Sequence, residues 1–265
     1  LIDFSSNDYL GFSRDFSFTE HTRGIGGSTG SRLLTGNTTE AEELEVFVAE
    51  YHKADASLLY NSGYDAKIGL LSCVPQRGDT VIYDELSHAS IIDGIRLCQA
   101  ESFKFKHNNV EHLESRLLAS KGNVYVVVES VYSMDGDFSP LEELVRLKQK
   151  FNFNLIVDEA HATGLFGKKG EGRCVELNIQ NQVFARVHTY GKAMGCHGAV
   201  VLGSSVLKNY LVNFSRSFIY TTALPISSII TIKTAYKKMI DIDFSRLIYR
   251  DLVNLFKEKI KLLNF

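Results

Sequence analysis

The stretch VYVVVESVYSMDGDFSPLEELVRLKQKFNFNLIVDEAHATG (124–164) holds two short apolar runs separated by a turn and an amphipathic segment. VYVVVE (124–129) and NLIVDE (154–159) have the length and the valine and isoleucine content of buried strands. Between them, PLEELVRLKQKF (140–151) starts with proline, carries acids in its first turn and bases later, the order that a helix dipole favours. The same alternation runs along the chain. SLLY (57–60), TVIY (80–83), SFKF (102–105), RVHTY (186–190) and AVVLG (199–203) read as further strands. Helices are expected near 40–52, 64–73, 88–99 and 110–119. From about residue 205 the pattern is helical and closes in DFSRLIYRDLVNLFKEKIKLLNF, a long amphipathic segment. Strand–helix alternation with nearly continuous apolar strands predicts an α/β fold, a mainly parallel seven-stranded sheet with helices on both faces. Ligands of such sheets bind beyond the carboxyl ends of the strands. Residues just after each strand therefore carry the functional reading.

The bulk composition narrows the classes. The 265 residues, 45% of them apolar, provide for one large core or two domains. A net charge near −2 declares no basic face for nucleic acid. The longest apolar stretches, such as VYVVV (124–128) and LPISSIITI (224–232), are too short to span a bilayer, so no membrane is expected. No charged-then-apolar leader opens the sequence. Cys73, Cys98, Cys174 and Cys196 form neither a CxxC pair nor a metal-ligand spacing, which predicts reduced thiols in a cytoplasmic protein.

Five strand ends hold candidate chemistry. VDEAHATG (157–164) closes a buried strand with Asp158, followed three residues later by His161. A carboxylate there is costly unless it meets a cation or a metal, or caps a helix. Asp158, Glu159 and His161 have no established zinc spacing, so Asp158 reads as the partner of a protonated nitrogen. NSGYDAK (61–67) follows the first strand and opens a helix, where Ser62, Gly63 and Tyr64 offer amides and a hydroxyl to a phosphate, or make a simple capped turn. The glycine-rich GIGGSTGSRLLTGNT (24–38) lacks the G-x-x-x-x-G-K-[ST] pattern and precedes the first core strand. DELSHAS (84–90) places His88 at a helix start, and ESVYSMDGD (129–137) places Ser133 in a turn. HTYGKAMGCHG (188–198) sets Thr189 and Lys192 after the sixth strand, with Gly191 and the small residues beyond Lys192 freeing the lysine to reach a ligand. A phosphate cradle, a ring partner, an acid for a ring nitrogen and a lysine amine are together what pyridoxal 5′-phosphate requires.

Eight motifs in this order carry a family resemblance: FSSNDYLG (4–11), GGSTGSRLLTGN (26–37), NSGYDA (61–66), DELSHASIIDGIRL (84–97), ESVYSMDGDFSPL (129–141), VDEAHATGLFGKKGEGR (157–173), HTYGKAMGCHGA (188–199) and FIYTTALP (218–225). The chain resembles the α-oxoamine synthases, fold-type I pyridoxal-phosphate enzymes, nearly end to end. The resemblance implies a Schiff base on Lys192, with Asp158 on the pyridine nitrogen, His161 on the ring's phenolic oxygen and His88 stacked on the ring near Ser133. Gly63, Tyr64 and Thr189 would hold the phosphate. Thr221 or Thr222 would reach the phosphate of a neighbouring subunit, making the active unit a homodimer, and Asn7 would lie near the amino-acid substrate.

The implied reaction is the decarboxylative condensation of L-alanine with a pimeloyl thioester, carried on CoA or acyl carrier protein, as in biotin synthesis. The branch that joins glycine to acetyl-CoA and a non-catalytic scaffold subunit are the competing readings. The resemblance also divides the chain into an N-terminal segment with substrate-side motifs (1–40), a cofactor-binding large domain (41–240) and a linker helix (241–265). It places a further N-terminal helical segment and a C-terminal small domain, with an arginine for the substrate carboxylate, outside these residues.

Overall fold

The computed structural model describes residues 5–14 and 26–262. Phe4 of the FSSNDYLG motif, Gly24 and Ile25 of the glycine-rich stretch, and residues 1–4 and 15–25 of the proposed N-terminal segment lie outside the described residues. Among the described residues seven strands form one sheet: β1 (Ala56–Tyr60), β2 (Thr80–Asp84), β3 (Glu101–Phe105), β4 (Val124–Glu129), β5 (Asn154–Asp158), β6 (Ala185–Thr189) and β7 (Ala199–Gly203). Their order across the sheet is β1-β7-β6-β5-β4-β2-β3. All neighbouring pairs are parallel except those made by β7, which runs antiparallel to both β1 and β6. Chain length explains the exception. Residues 190–198 alone join β6 to β7, and a parallel crossover needs about a dozen residues or more. The strand must return as a hairpin, which leaves Lys192 in the connecting loop at the carboxyl end of β6.

Among the described residues ten helices accompany the sheet: α1 (Thr39–Tyr51), α2 (Gly63–Cys73), α3 (Ala89–Leu97), α4 (Val110–Leu118), α5 (Leu141–Phe151), α6 (Arg173–Glu176), α7 (Ser205–Phe214), α8 (Arg216–Ile219), α9 (Ile226–Asp241) and α10 (Asp243–Lys261). Local chemistry sets several of their starts. Thr38, Ser62, Asn109 and Ser204 each accept a first-turn amide with a side-chain oxygen, which satisfies a donor the helix itself cannot. α5 begins just after Pro140, has Glu142 and Glu143 in its first turn and Lys148 and Lys150 in its last, and stops at Asn152 in the left-handed conformation. Among the described residues no helix is long and apolar enough to cross a membrane.

Strand alternation gives each face of the sheet its own core. On one face Leu58, Val81, Val127, Ile156, Val187 and Val201 pack with residues of α2, α3, α7 and α8. The other face carries two clusters. Leu59, Val200 and Leu202 join α1 and α9, while Ile82, Val126, Val128, Leu155 and Val157 join α4 and α5. Between these clusters β6 presents Arg186 and His188, both buried. Arg186 Nη2 and His188 Nδ1 find partners across the layer, whereas Arg186 Nη1 and His188 Nε2 are buried without one among the described residues. The Arg186 Nη2–H donates to the His52 carbonyl at 2.8 Å. Thr163 donates its hydroxyl to the Glu159 carbonyl at 2.8 Å, so its oxygen accepts from His188 Nδ1 at 2.9 Å. His52 Nδ1 donates to the Glu171 carbonyl and Nε2 accepts from Tyr236, each at 2.8 Å.

Burial, then the Arg186 charge, holds His52 down to about 3, and burial, then the charges of His52 and Arg186, keeps His188 well below the ordinary imidazole value. Folded histidines of this kind refuse protons that the unfolded chain accepts below about pH 6.5. Stability should therefore fall as pH drops from 6.5 towards the folded values. We expect His188→Asn to reduce proton uptake on unfolding at pH 5 by about one proton, measured by calorimetry in two buffers of different ionisation enthalpy. An unchanged uptake would place His188 outside this linkage.

Candidate active site

At the carboxyl edge of the sheet two acids end adjacent strands in register, Glu129 on β4 opposite Asp158 on β5. Both are buried. Asp158 Oδ2 accepts from Lys67 Nζ at 2.6 Å, and Oδ1 accepts from the Ala160 amide at 2.9 Å. Burial raises the Asp158 carboxyl, but the charges of Lys67 and Lys192, the Lys67 hydrogen bond and the Ala160 amide outweigh it and hold it below the ordinary carboxylate value. Glu129 is pushed up, first by burial and then by the charge of Asp158. Its Oε1 accepts the His88 backbone amide at 2.5 Å, so the second acid positions the histidine loop.

His88 caps α3. Its Nδ1 accepts from the Ser90 amide at 3.1 Å and from the Ser90 hydroxyl at 2.7 Å, which places the proton on Nε2. Burial and then the charge of Lys67 lower the His88 pKa.

Lys192 occupies the hairpin loop. The Gly195 amide donates to the Lys192 carbonyl at 2.9 Å and the Cys196 amide to the Tyr190 carbonyl at 2.8 Å, closing the loop on itself. The crowded position is Gly195, with φ +61°, where a Cβ would meet the Ser13 amide nitrogen at 2.3 Å. A Cβ on Gly191 would meet the Cys196 carbonyl oxygen only at 3.7 Å, an ordinary contact. Close approach in this loop thus rests on Gly195 and not on Gly191.

A hydrogen-bonded chain reaches Lys192 from the N-terminal motif. Tyr9 donates its hydroxyl to Asn7 Oδ1 at 3.0 Å and accepts from His161 Nδ1 at 2.8 Å. His161 Nε2 is then the acceptor for Lys192 Nζ at 2.6 Å. Burial, then the Lys192 charge, brings His161 down to about 4, consistent with a neutral ring. Burial also lowers Lys192 to about 8, against the opposing pull of Asp158. Near neutral pH a far larger share of this amine than of an ordinary lysine is therefore unprotonated and nucleophilic.

The start of α2 faces the same edge. Ser62 Oγ accepts the Asp65 amide at 3.1 Å and donates to Asp65 Oδ2 at 2.7 Å. A Cβ on Gly63 would lie 3.2 Å from both Thr189 Cβ and Oγ1. The missing side chain lets the start of α2 lie close to the Thr189 hydroxyl, and a helix N-terminus beside a hydroxyl is a setting suited to an anion.

The structure thus brings Lys192, Asp158, His161 and His88 to one edge, with Gly63 beside Thr189 and Asn7 joined to His161 through Tyr9. Other expected residues stand apart from this hydrogen-bonded group. Ser133 is exposed in the turn after β4. The Tyr64 hydroxyl is directed to Asp93 Oδ2 at 2.9 Å. Thr221 Oγ1 and the Thr222 carbonyl accept from Asn61 Nδ2 at 3.0 and 2.8 Å. Sequence reasoning missed Tyr9, Lys67 and Glu129. Glu129 had a signal, since it ends its strand as Asp158 does. Lys67 is a charge one turn inside an otherwise apolar helix face, between Ala66 and Leu70.

Labelling of Lys192 by an amine-directed acylating reagent, read by peptide mass spectrometry, should rise with pH around a midpoint near 8. Asp158→Asn removes the charge that supports the ammonium form, so the midpoint should move lower. A midpoint near the free-lysine value, or an upward shift, would contradict this electrostatic account.

The model of the family described as aminotransferase class I and II matches residues 1–263. The 8-amino-7-oxononanoate synthase of Emericella nidulans is 43% identical over 264 residues, covering 91% of this chain and 64% of that protein. The Chlorobaculum parvum protein of the same name is 41% identical, covering 85% of this chain and 61% of its own length. The chain spans about three fifths of the length of these curated relatives. Among solved structures, a Sphingomonas wittichii serine palmitoyltransferase superposes with a TM-score of 0.84 at 33% identity, covering 89% of this chain and 61% of that one. The 8-amino-7-oxononanoate synthase from Francisella tularensis gives a TM-score of 0.80 at 30% identity, covering 93% and 71%. With a sheet shared with these enzymes and a family match over nearly its whole length, the chain belongs to the aminotransferase class I and II family, has the large-domain fold of fold-type I pyridoxal-phosphate enzymes, and is similar within it to 8-amino-7-oxononanoate synthases.

Proposed function

We propose that the protein is a pyridoxal 5′-phosphate-dependent acyltransferase that condenses L-alanine with a pimeloyl thioester. The products are 8-amino-7-oxononanoate, CO2 and the free thiol of CoA or acyl carrier protein. The observation that carries this reading is the half-buried Lys192 amine, lowered to about 8 and bonded to His161, beside a buried Asp158 on the adjoining strand. The residues fit the cofactor. Asp158 retains acceptor capacity beyond Lys67 and Ala160 for a ring N–H, and the α2 N-terminus at Gly63 beside the Thr189 hydroxyl suits a phosphate.

In this reading Gly63 and Tyr64 hold the phosphate with their amides and Thr189 with its hydroxyl. Asp158 faces the ring nitrogen, His88 packs on the ring with Ser133 near it, and His161 contacts the phenolic oxygen. When bound through Lys192, the cofactor supplies an electron sink for negative charge at the amino acid's Cα. Lys192, once released, takes the Cα proton of alanine and later returns one to the product. His161 holds that amine in place, and Tyr9 and Asn7 hold His161. His88 and His161 are placed to assist loss of CO2. Thr221 and Thr222 belong to a segment that reaches a second subunit's phosphate, so the working unit is a homodimer, in the cytoplasm. Residues 1–40 form the substrate-side segment, 41–240 the large domain and 241–265 a linker to a further domain. The exposed Leu247, Leu252, Leu255 and Phe256 of α10 support the linker reading.

Two measurements on the full-length protein test this. Borohydride reduction in the presence of pyridoxal phosphate, followed by peptide mapping, should label Lys192, and Lys192→Ala should abolish the label. Label on another lysine refutes the assignment. In a substrate panel, alanine with a pimeloyl thioester should exceed alanine with acetyl-CoA by about 100-fold in kcat/KM, since each buried methylene contributes about 0.8 kcal/mol. Turnover of glycine with acetyl-CoA and none with pimeloyl donors would assign the protein to that branch instead. No turnover with any pair, despite a normal Lys192 label, would favour the scaffold reading.

A further inference from the structure

The pyridoxal-phosphate reading assigns a role to Asp158 but none to Lys67, whose ammonium sits 2.6 Å from that acid. Both side chains are buried, at 6% and 3% exposure. Lysine is rarely buried to this degree without a purpose, because its side chain loses both hydration and rotamer freedom. We propose that Lys67 is a positioning residue of the cofactor site: it holds Asp158 as an oriented carboxylate before the ligand arrives, and then shares that one acid with the ligand's ring nitrogen.

The geometry supports both halves. Lys67 takes Oδ2 and the Ala160 amide takes Oδ1, so the carboxylate plane is fixed from two sides. One lone pair on each oxygen remains for a third donor. Without Lys67 a buried acid would have to be protonated, or else disordered, until a cation came. With Lys67 present, an incoming ring N–H meets an acceptor whose charge is already partly used. The cofactor therefore binds to a prepared site, but less tightly than to an acid with no other cation beside it, whose proton the ring nitrogen can share.

The groups that face Asp158 are Lys67 on α2, Lys192 in the β6–β7 loop, Glu129 on β4, His88 at the start of α3 and His161 after β5; the charges of Lys67 and Asp158 act on all the others. In the native site the Asp158 carboxyl lies below its ordinary value, so its contribution to stability is present above the unfolded pKa and is lost as pH falls through the folded one. Removing Lys67 leaves burial dominant. Asp158 then rises, and the variant should be penalised at high pH and relieved as pH falls.

The test uses the full-length protein, wild type, Lys67→Met and Lys67→Gln, each stripped of cofactor and then titrated with pyridoxal phosphate. Glutamine keeps an N–H donor without the charge and covers the case in which the methionine variant does not fold. Melting of the cofactor-free variants should fall below wild type at pH 8, with the gap narrowing by pH 5. At pH 8 the dissociation constant for pyridoxal phosphate should drop about tenfold in the variants, the equivalent of one unit of pKa. A pH-independent gap, or cofactor binding that is unchanged or weaker, would overturn the proposal and leave Lys67 a packing residue. If wild type itself acquires no cofactor absorbance, the pyridoxal-phosphate reading fails, and with it the shared-acid half of the proposal. The cofactor-free melts still decide the Asp158 half on their own.

Discussion

The buried charge of Asp158 is the constraint around which the rest of the site is arranged. An isolated carboxylate at 3% exposure would be neutralised by a proton, because dehydration costs more than the packing of β5 can return. Lys67, the Ala160 amide and the nearby Lys192 prevent that outcome. Breaking such a pair by deleting one partner costs about 3–5 kcal/mol, comparable to a third or more of a domain's net stability. The pair is tolerated because two secondary elements are brought together there for other reasons. α2 packs on the apolar face of the sheet through Ala66, Leu70 and Leu71, and β5 runs through the sheet's centre. The polar atoms sit at the end of β5 and within the first turns of α2.

The neighbouring histidines show how the same edge keeps bases neutral. His161 is lowered to about 4 by burial and by Lys192. It can therefore accept a hydrogen bond from Lys192 only while its other nitrogen donates to Tyr9. The tautomer is fixed from outside the site by Asn7, through Tyr9. A short N-terminal motif thus controls the direction in which a lysine proton can move, although it contributes no strand or helix to the sheet.

Much of this was legible in the sequence. Apart from the largely exposed edge strand β3, the strand boundaries follow directly from the apolar runs, since strands buried on both faces have no alternation to confuse the reading. Asp158, His161, His88 and Lys192 were found because the carboxyl ends of parallel strands were read first. Residues acting from inside an element were not found. Lys67 lies within α2, where periodicity assigns a charged residue to solvent, and only the tertiary position of Asp158 reverses that. Glu129 supports His88 through a backbone amide, a contact no side-chain pattern records. Tyr9 lay in a motif that was recognised, but its role depends on a partner 152 residues away. The antiparallel direction of β7 was available from the nine-residue connection in 190–198 and was not used.

Strand order has a consequence for how the molecule assembles. β1 pairs only with β7, Tyr60 opposite Ala199, which closes a loop of about 140 residues, a contact of high sequence separation that folds slowly. β2 to β6, by contrast, form from successive strand–helix units. The segment following β1 carries Gly63, which lies close to Thr189 at the end of β6. Gly63 and Thr189 meet only when the first strand docks on the last. A ligand bound between Gly63 and Thr189 would need that contact to be formed and would therefore hold the edge strand in place. Loss of the ligand should loosen the molecule first at β1, at the sheet edge, rather than at the centre where the charges lie.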